Sequence, residues 1–233
     1  RGLDWYLAAL GFLLLALLAI LLMPLFPDQR NVLRLFHLHA NLLGFVGLTA
    51  LGTLQVLLPT CVGQPDPDAV LRLRRDLKWA VSGTLFIAVG AASHLPGHGA
   101  MAGPALSLLG TVLYVVAVMR MLHAWQARFG RALVQLHGAA PSLAVAALGL
   151  FCMLILGIAH GFGWLPARAA VAGFVIAFLL PLVSGATAHL LPTWLKPGAQ
   201  SAWHQALRTR LCRWGGVRGL LLLVLGLFIT AAS

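Results

Sequence analysis

Seven long apolar stretches, separated by short segments that hold most of the charged residues, constrain this fold more than any other feature. They cover about residues 4–26, 35–58, 77–95, 103–124, 138–161, 168–192 and 215–232. An α-helix needs about 20 apolar residues to cross a bilayer. Because 61% of the 233 residues are hydrophobic and 9% are charged, a soluble domain is excluded. The sequence predicts an all-α, polytopic bundle of about seven transmembrane helices in one domain, residues 1–233.

The positive charge lies mainly on one side of these predicted spans. Thirteen of the 16 Lys and Arg residues fall at the N-terminus or near the loops 59–76, 125–137 and 193–214. Cytoplasmic loops of membrane proteins carry this excess. The N-terminus is therefore predicted inside, and the net charge of +11 indicates membrane topology rather than nucleic-acid binding. Because the chain begins at Arg1 rather than Met, we expect a preceding segment.

With this topology, five of the nine histidines fall at the outer ends of the spans or in an outer loop. They are His37, His39, His94, His98 and His160. Imidazole is the commonest metal ligand, and helical bundles build cofactor sites from side chains on facing helices. Each histidine also has a structural interpretation, as a partner for a free carbonyl. The glycines of the second span, Gly44, Gly47 and Gly52, predict either close helix packing or a slot for a flat cofactor.

Part of the second span is repeated in the sixth. The sequence LGTLQVLLPT at 51–60 returns as SGATAHLLPT at 184–193, an offset that also relates Phe45 to Phe178. We predict parallel repeat units at about 35–95 and 168–232. At the positions of His37 and His39 the second copy has alanines, Ala170 and Ala172.

The stretch LHANLL…G…LLP at 38–59 resembles the second span of haem-copper oxidase catalytic subunits, most closely the nitric oxide reductase branch. In that family a histidine at this place is an axial ligand of low-spin haem b. The resemblance assigns that role to His39, with Arg34 and Asn41 as its matching flanks. The chain also resembles the NnrS family of haem- and copper-containing membrane proteins. The residues that match are His37, His39, Gly44, Phe45, Gly52 and Pro59. Both resemblances imply a bacterial inner membrane.

The chain departs from the oxidases in two ways. It has about seven spans rather than about twelve, and no pair of adjacent histidines of the kind that binds copper there. Where their copper ligands begin, on the sixth span, this chain has Ala170, Ala172 and Gly173. A dioxygen- or NO-reducing centre is not supported, and enzymatic activity stays open.

The first hypothesis is a haem b protein for electron transfer or NO/O2 handling near the outer face. His39 is one axial ligand, His94 or His160 the second, and His37 and His98 are alternates. We expect Arg34, together with His37, to approach a haem propionate.

Two further hypotheses remain open. A copper-handling protein would use the same histidines and Met101, and an accessory subunit of a respiratory complex would hold no cofactor. Cytochrome or other membrane subunits, a second copy and lipid are the expected partners. The three cysteines form no CxxC motif that would indicate a thiolate metal site.

Overall fold

The computed structural model describes residues 2–93 and 101–232. It is 85% helical, and this part of the chain contains no strand, which confirms the all-α prediction. The α-helices of the described residues are α1 (Leu3–Leu22), α2 (Arg30–His39), α3 (Leu48–Val62), α4 (Ala69–Ala92), α5 (Ala102–Leu133), α6 (Ala139–Gly161), α7 (Ala167–Gly173), α8 (Leu180–Leu195), α9 (Ala202–Leu211) and α10 (Gly215–Ala231).

Two π-helical segments interrupt the predicted second and sixth spans. Ala40–Gly47 joins α2 to α3, and Phe174–Leu179 joins α7 to α8. With a short 3-10 turn at Pro27–Gln29, the second predicted span becomes a continuous helix over Pro27–Val62. This helix does not end at residue 58, as predicted, since α3 continues through Pro59 to Val62. A proline removes one backbone hydrogen bond, a loss that membrane helices tolerate where neighbours satisfy the freed groups.

Six helices of the described residues are long and apolar enough to cross a membrane, which is typical of a multi-pass membrane protein. The seventh long helix, α4, corresponds to the span predicted at 77–95. It begins earlier, at Ala69, and its first half carries charged residues that set it apart from the other six. Those residues are Arg72, Arg74, Arg75, Asp76 and Lys78.

The chain forms two compact units. The first comprises Arg1–Thr53, Pro67–Met119 and Leu154–Trp164, and the second comprises Leu54–Asp66, Arg120–Met153 and Leu165–Ser233. The sequence had predicted one domain with repeats at 35–95 and 168–232. Each unit contains most of one repeat, but no superposition tests the equivalence, so the repeat stays a prediction.

In the first unit, aromatic side chains of α1 cover the glycine face of the second span. A Cβ atom added at Gly44 would lie 2.5 Å from the ring of Phe12, and one added at Gly52 would lie 2.8 Å from Trp5. The Trp5 indole N–H donates to the Leu73 carbonyl at 2.9 Å, which ties α1 to α4. Small residues that allow such approach are how membrane helices pack without a hydrophobic driving force between them.

A buried carboxylate lies in the charged half of α4. Asp76 is 1% exposed and accepts two hydrogen bonds from Arg75, from Nε at 2.9 Å and from a terminal nitrogen at 3.3 Å. The bidentate geometry offsets the cost of removing the carboxylate from water. The Arg75 side chain itself is 42% exposed, so the pair joins a buried acidic group to a cation at the surface.

In the second unit, backbones rather than aromatic rings meet the π segment. Gly149 of α6 and Gly226 of α10 both approach the backbone of Ala177 too closely for a side chain. The Ser142 hydroxyl of α6 donates to the Pro181 carbonyl at 2.8 Å. The α5–α6 turn is bonded to the chain before α10, because Gly138 N–H donates to the Cys212 carbonyl at 2.8 Å.

Candidate functional site

The histidines singled out from the sequence divide into a described and an undescribed set. His37 and His39 end α2, directly before the first π segment, and His160 lies in the last turn of α6. All three belong to the first unit and are half-buried. His94 and His98 lie outside the described residues, so their predicted roles have no structural counterpart here.

The structure brings His39 and His160 together. Their ring centroids are 6.3 Å apart, and the ring planes differ by 20°. A metal–imidazole bond is about 2 Å long and the ring centre lies about 1 Å beyond the nitrogen, so two imidazoles on opposite sides of one metal ion have ring centres about 6 Å apart. The observed separation fits this arrangement.

A backbone hydrogen bond determines the tautomer of His39. Its Nδ1 lies 2.9 Å from the carbonyl oxygen of Leu35, one turn earlier in α2. A carbonyl only accepts, so Nδ1 carries the proton and the lone pair of Nε2 is available to a metal. Metal-binding histidines usually donate their other N–H to a carbonyl or carboxylate, which also orients the ring.

His37 has a different neighbour. Its Nδ1–H donates to the Ala16 carbonyl of α1 at 2.9 Å. Residues two apart in a helix point in directions about 200° apart, so the separation of the two imidazoles follows from their spacing. His37 ties α2 to α1, while His39 pairs with α6. Arg34, one turn before His37, is exposed.

The glycine face beside His39 is filled. A Cβ atom added at Gly47 would lie 2.5 Å from the Tyr114 hydroxyl, and Phe12 and Trp5 cover Gly44 and Gly52. Of the two interpretations that the sequence left open for these glycines, the contacts at Gly47 and Gly52 are those of close packing, here against aromatic side chains. Aromatic side chains occupy the space because small residues permit the closest approach of a neighbouring helix.

Tyr114 was not anticipated from the sequence. Its hydroxyl donates to the Leu43 carbonyl, at 3.0 Å, within the π segment that begins after His39. π-Helical turns are rare and occur often at functional sites. The available signal was that Tyr114, one of only two tyrosines, stands in an apolar span, where a buried hydroxyl requires a partner.

Of the remaining described histidines, His123 is exposed and His189 is half-buried, with its backbone carbonyl accepting from Arg208; the other two form side-chain hydrogen bonds. His204 accepts from the Ser201 N–H at 3.0 Å through Nδ1 and donates through Nε2 to the Lys196 carbonyl at 2.8 Å. His137 Nδ1 accepts from the Trp214 N–H at 2.9 Å. Over residues 2–93 and 101–232, no group of three His, Cys, Asp or Glu side chains is arranged to hold a metal ion.

No family model matches the chain, and neither a curated protein nor a solved structure is similar to it.

Proposed function

We propose that this multi-pass membrane protein binds haem b, with His39 and His160 as its two axial ligands. The observation that carries the proposal is the 6.3 Å separation of the two imidazole rings, which suits ligands on opposite sides of one iron. His160 is preferred to His94 as the second ligand for this reason. The Leu35 carbonyl supports the assignment, since it leaves Nε2 of His39 free to bind.

The haem interpretation explains a site with only two protein ligands. A porphyrin supplies the equatorial nitrogens, so two imidazoles complete the coordination of iron. A copper site of three or more protein ligands would need a further group beside His39 and His160, and the described residues hold no group of three His, Cys, Asp or Glu side chains so arranged. Such a site would draw on His98 or on Met101, whose side chain is 68% exposed.

Between the two haem functions considered, the pair favours electron transfer. Two axial histidines leave no open position for NO or O2, whereas haem b with both ligands in place supplies a one-electron couple. The protein would hold the iron, donate the Nδ1–H bond that increases the basicity of His39, and place Arg34 where it can meet a propionate. His37 would maintain α2 against α1.

The proposed setting is the bacterial inner membrane, with the N-terminus inside and the histidine pair near the outer face. It rests on the 13 of 16 basic residues assigned to the inner side. Cytochrome subunits or a second copy would be the electron partners. Labelling of single cysteines tests the orientation: residues 125–137 should react from the cytoplasmic side, and their labelling from outside would reverse it.

A reduced-minus-oxidised spectrum of the purified chain tests the cofactor. We expect a Soret band and sharp α bands for the wild type, their loss in His39→Ala and in His160→Ala, and their retention in His37→Ala. Loss in His37→Ala with retention in His39→Ala would reverse the assignment. A colourless wild type that contains copper by elemental analysis would replace haem with the copper hypothesis.

A further inference from the structure

Acidic and basic residues are unevenly distributed along the chain. All five acidic residues lie within the first 76 positions, and none follows Asp76. Residues 77–233 contain ten basic residues: Lys78, Arg120, Arg128, Arg131, Arg168, Lys196, Arg208, Arg210, Arg213 and Arg218. Asp66 is the one carboxylate within the residue ranges of the second unit. The second unit therefore carries a large excess of positive charge.

The short helix α9 is fixed to the second unit through its inner side. His204 is 1% exposed, and its Nε2–H donates to the Lys196 carbonyl that precedes the helix. Arg208 donates to the His189 carbonyl of α8 at 3.2 Å and to Gln200 at 3.1 Å. The orientation of α9, and so of its opposite side, is determined by these contacts.

The end of α9 is held in the same way. Arg218 of α10 donates to the carbonyls of Leu211 and Arg213, each at 3.0 Å. Trp214, between the helices, has a left-handed backbone with φ of 59°, and its N–H is bonded to His137. The guanidinium groups of Arg208 and Arg218 thus form hydrogen bonds within the second unit.

Exposed cations and exposed indoles lie on α9 and on the residues directly before and after it. Arg210 and Arg213 are exposed, and Trp203 lies seven residues before Arg210, on the same face of the helix. The side chains of Trp194, Trp203 and Trp214 are 63%, 43% and 46% exposed. Lys196 lies with its Nζ 5.9 Å from the centre of the Trp203 ring. Tryptophan prefers the headgroup level of a bilayer.

We propose that this face, defined by Lys196, Trp203, Arg210, Arg213 and Trp214, binds the phosphate headgroup of an anionic phospholipid in the adjoining leaflet. Guanidinium groups form bidentate hydrogen bonds with phosphate. Juxtamembrane basic clusters attract anionic lipid, and the indoles bury their rings beside the glycerol region. The proposal is independent of the haem site, which lies in the first unit.

Native mass spectrometry of the full chain, purified from mixed micelles with equal phosphatidylglycerol and phosphatidylcholine, tests this proposal. We expect the wild type to retain phosphatidylglycerol preferentially. The double variant R210Q/R213Q should reduce that preference by at least about fivefold, since each basic residue near an anionic surface contributes roughly that factor. R210K/R213K should keep most of it.

The matched control is R128Q/R131Q, which removes two exposed basic residues from α5 in the same unit, a helix whose own tryptophan, Trp125, is buried. We expect less than a twofold change. Equal losses in the two glutamine variants would replace a defined site with general charge attraction and overturn the proposal. Absence of any preference in the wild type, or its removal by millimolar inorganic phosphate, would overturn it too.

Discussion

The spans Pro27–Val62 and Ala167–Leu195 are built alike and packed differently. Each contains a π segment, and the two begin at Ala40 and Phe174, within one residue of the offset of 133 that relates the repeated sequences. In the first, the rings of Phe12, Tyr114 and Trp5 meet the glycines. In the second, glycines of two neighbouring helices approach Ala177 backbone to backbone.

The difference indicates what each span can hold. Where the span Pro27–Val62 has His37 and His39, the span Ala167–Leu195 has Ala170 and Ala172. The π segment and the interior proline occur in both spans, and we attribute them to the helical framework. His37 and His39 have no equivalent in the other span, and we attribute function to the span that contains them.

We expect the largest effect on stability from Asp76, a buried carboxylate of the first unit whose equivalent position in the second unit is uncharged. Asp76→Ala removes the buried partner of Arg75 and leaves Arg72 buried one turn away. Because Arg75 is 42% exposed and water can solvate it in the variant, we expect a loss of about 1.5–3 kcal/mol in the free energy of unfolding, measured by SDS titration in mixed micelles. Thr209→Ala, the exposed equivalent 133 residues later, should change it by less than about 0.5 kcal/mol. Similar losses at both positions would contradict this account.

The packing contrast can be tested with one methyl group. Gly52→Ala places a Cβ 2.8 Å from the Cβ of Trp5, which is fixed to the backbone, whereas Gly185→Ala meets Cδ2 of Leu143 at 2.9 Å, an atom that a change of rotamer can move, and the Ala139 carbonyl oxygen at 3.1 Å. We expect Gly52→Ala to cost about 1–3 kcal/mol of unfolding free energy and Gly185→Ala less. Gly157→Ala, which has no neighbour within 4 Å, is the control and should be neutral or stabilising. The reverse order for the first two variants would break the comparison.

In each span, a backbone carbonyl in or near the π segment accepts a hydrogen bond from a side-chain hydroxyl of another helix. Tyr114→Phe removes the bond to Leu43, and Ser142→Ala removes the bond to Pro181. Both should lose about 1 kcal/mol of unfolding free energy. Under the proposed function, Tyr114→Phe should also shift the haem midpoint potential, and Ser142→Ala should leave it unchanged. A shift in the serine variant alone would place the haem elsewhere.

The smallest expected effect concerns the turn before α10. His137→Ala removes the acceptor of the Trp214 N–H and a ring contact at 4.7 Å between centroids. Because both residues are exposed, water can replace the acceptor, and we expect a loss of about 0.5–1 kcal/mol by thermal unfolding in detergent. His123→Ala, also exposed, should have no measurable effect. A loss as large as that of Asp76→Ala would show that this turn stabilises more than its own connection.

Hydrophobic runs in the sequence were sufficient to predict the helical class and six of the spans, because a segment of about 20 apolar residues has few alternatives to a membrane helix. The sequence also separated His37 from His39, since their spacing alone points them apart. The burial of Asp76 was not predictable, because the partners that allow a carboxylate to leave water are known only once the helix is packed.

Tertiary structure brings His160 to His39. This contact depends on how α6 packs against α2, far away along the chain, and no local pattern specifies it. Packing likewise determined that aromatic side chains meet Gly47 and Gly52. A glycine in the sequence indicates that a neighbouring group approaches the helix closely. Which group approaches depends on the contacts between helices.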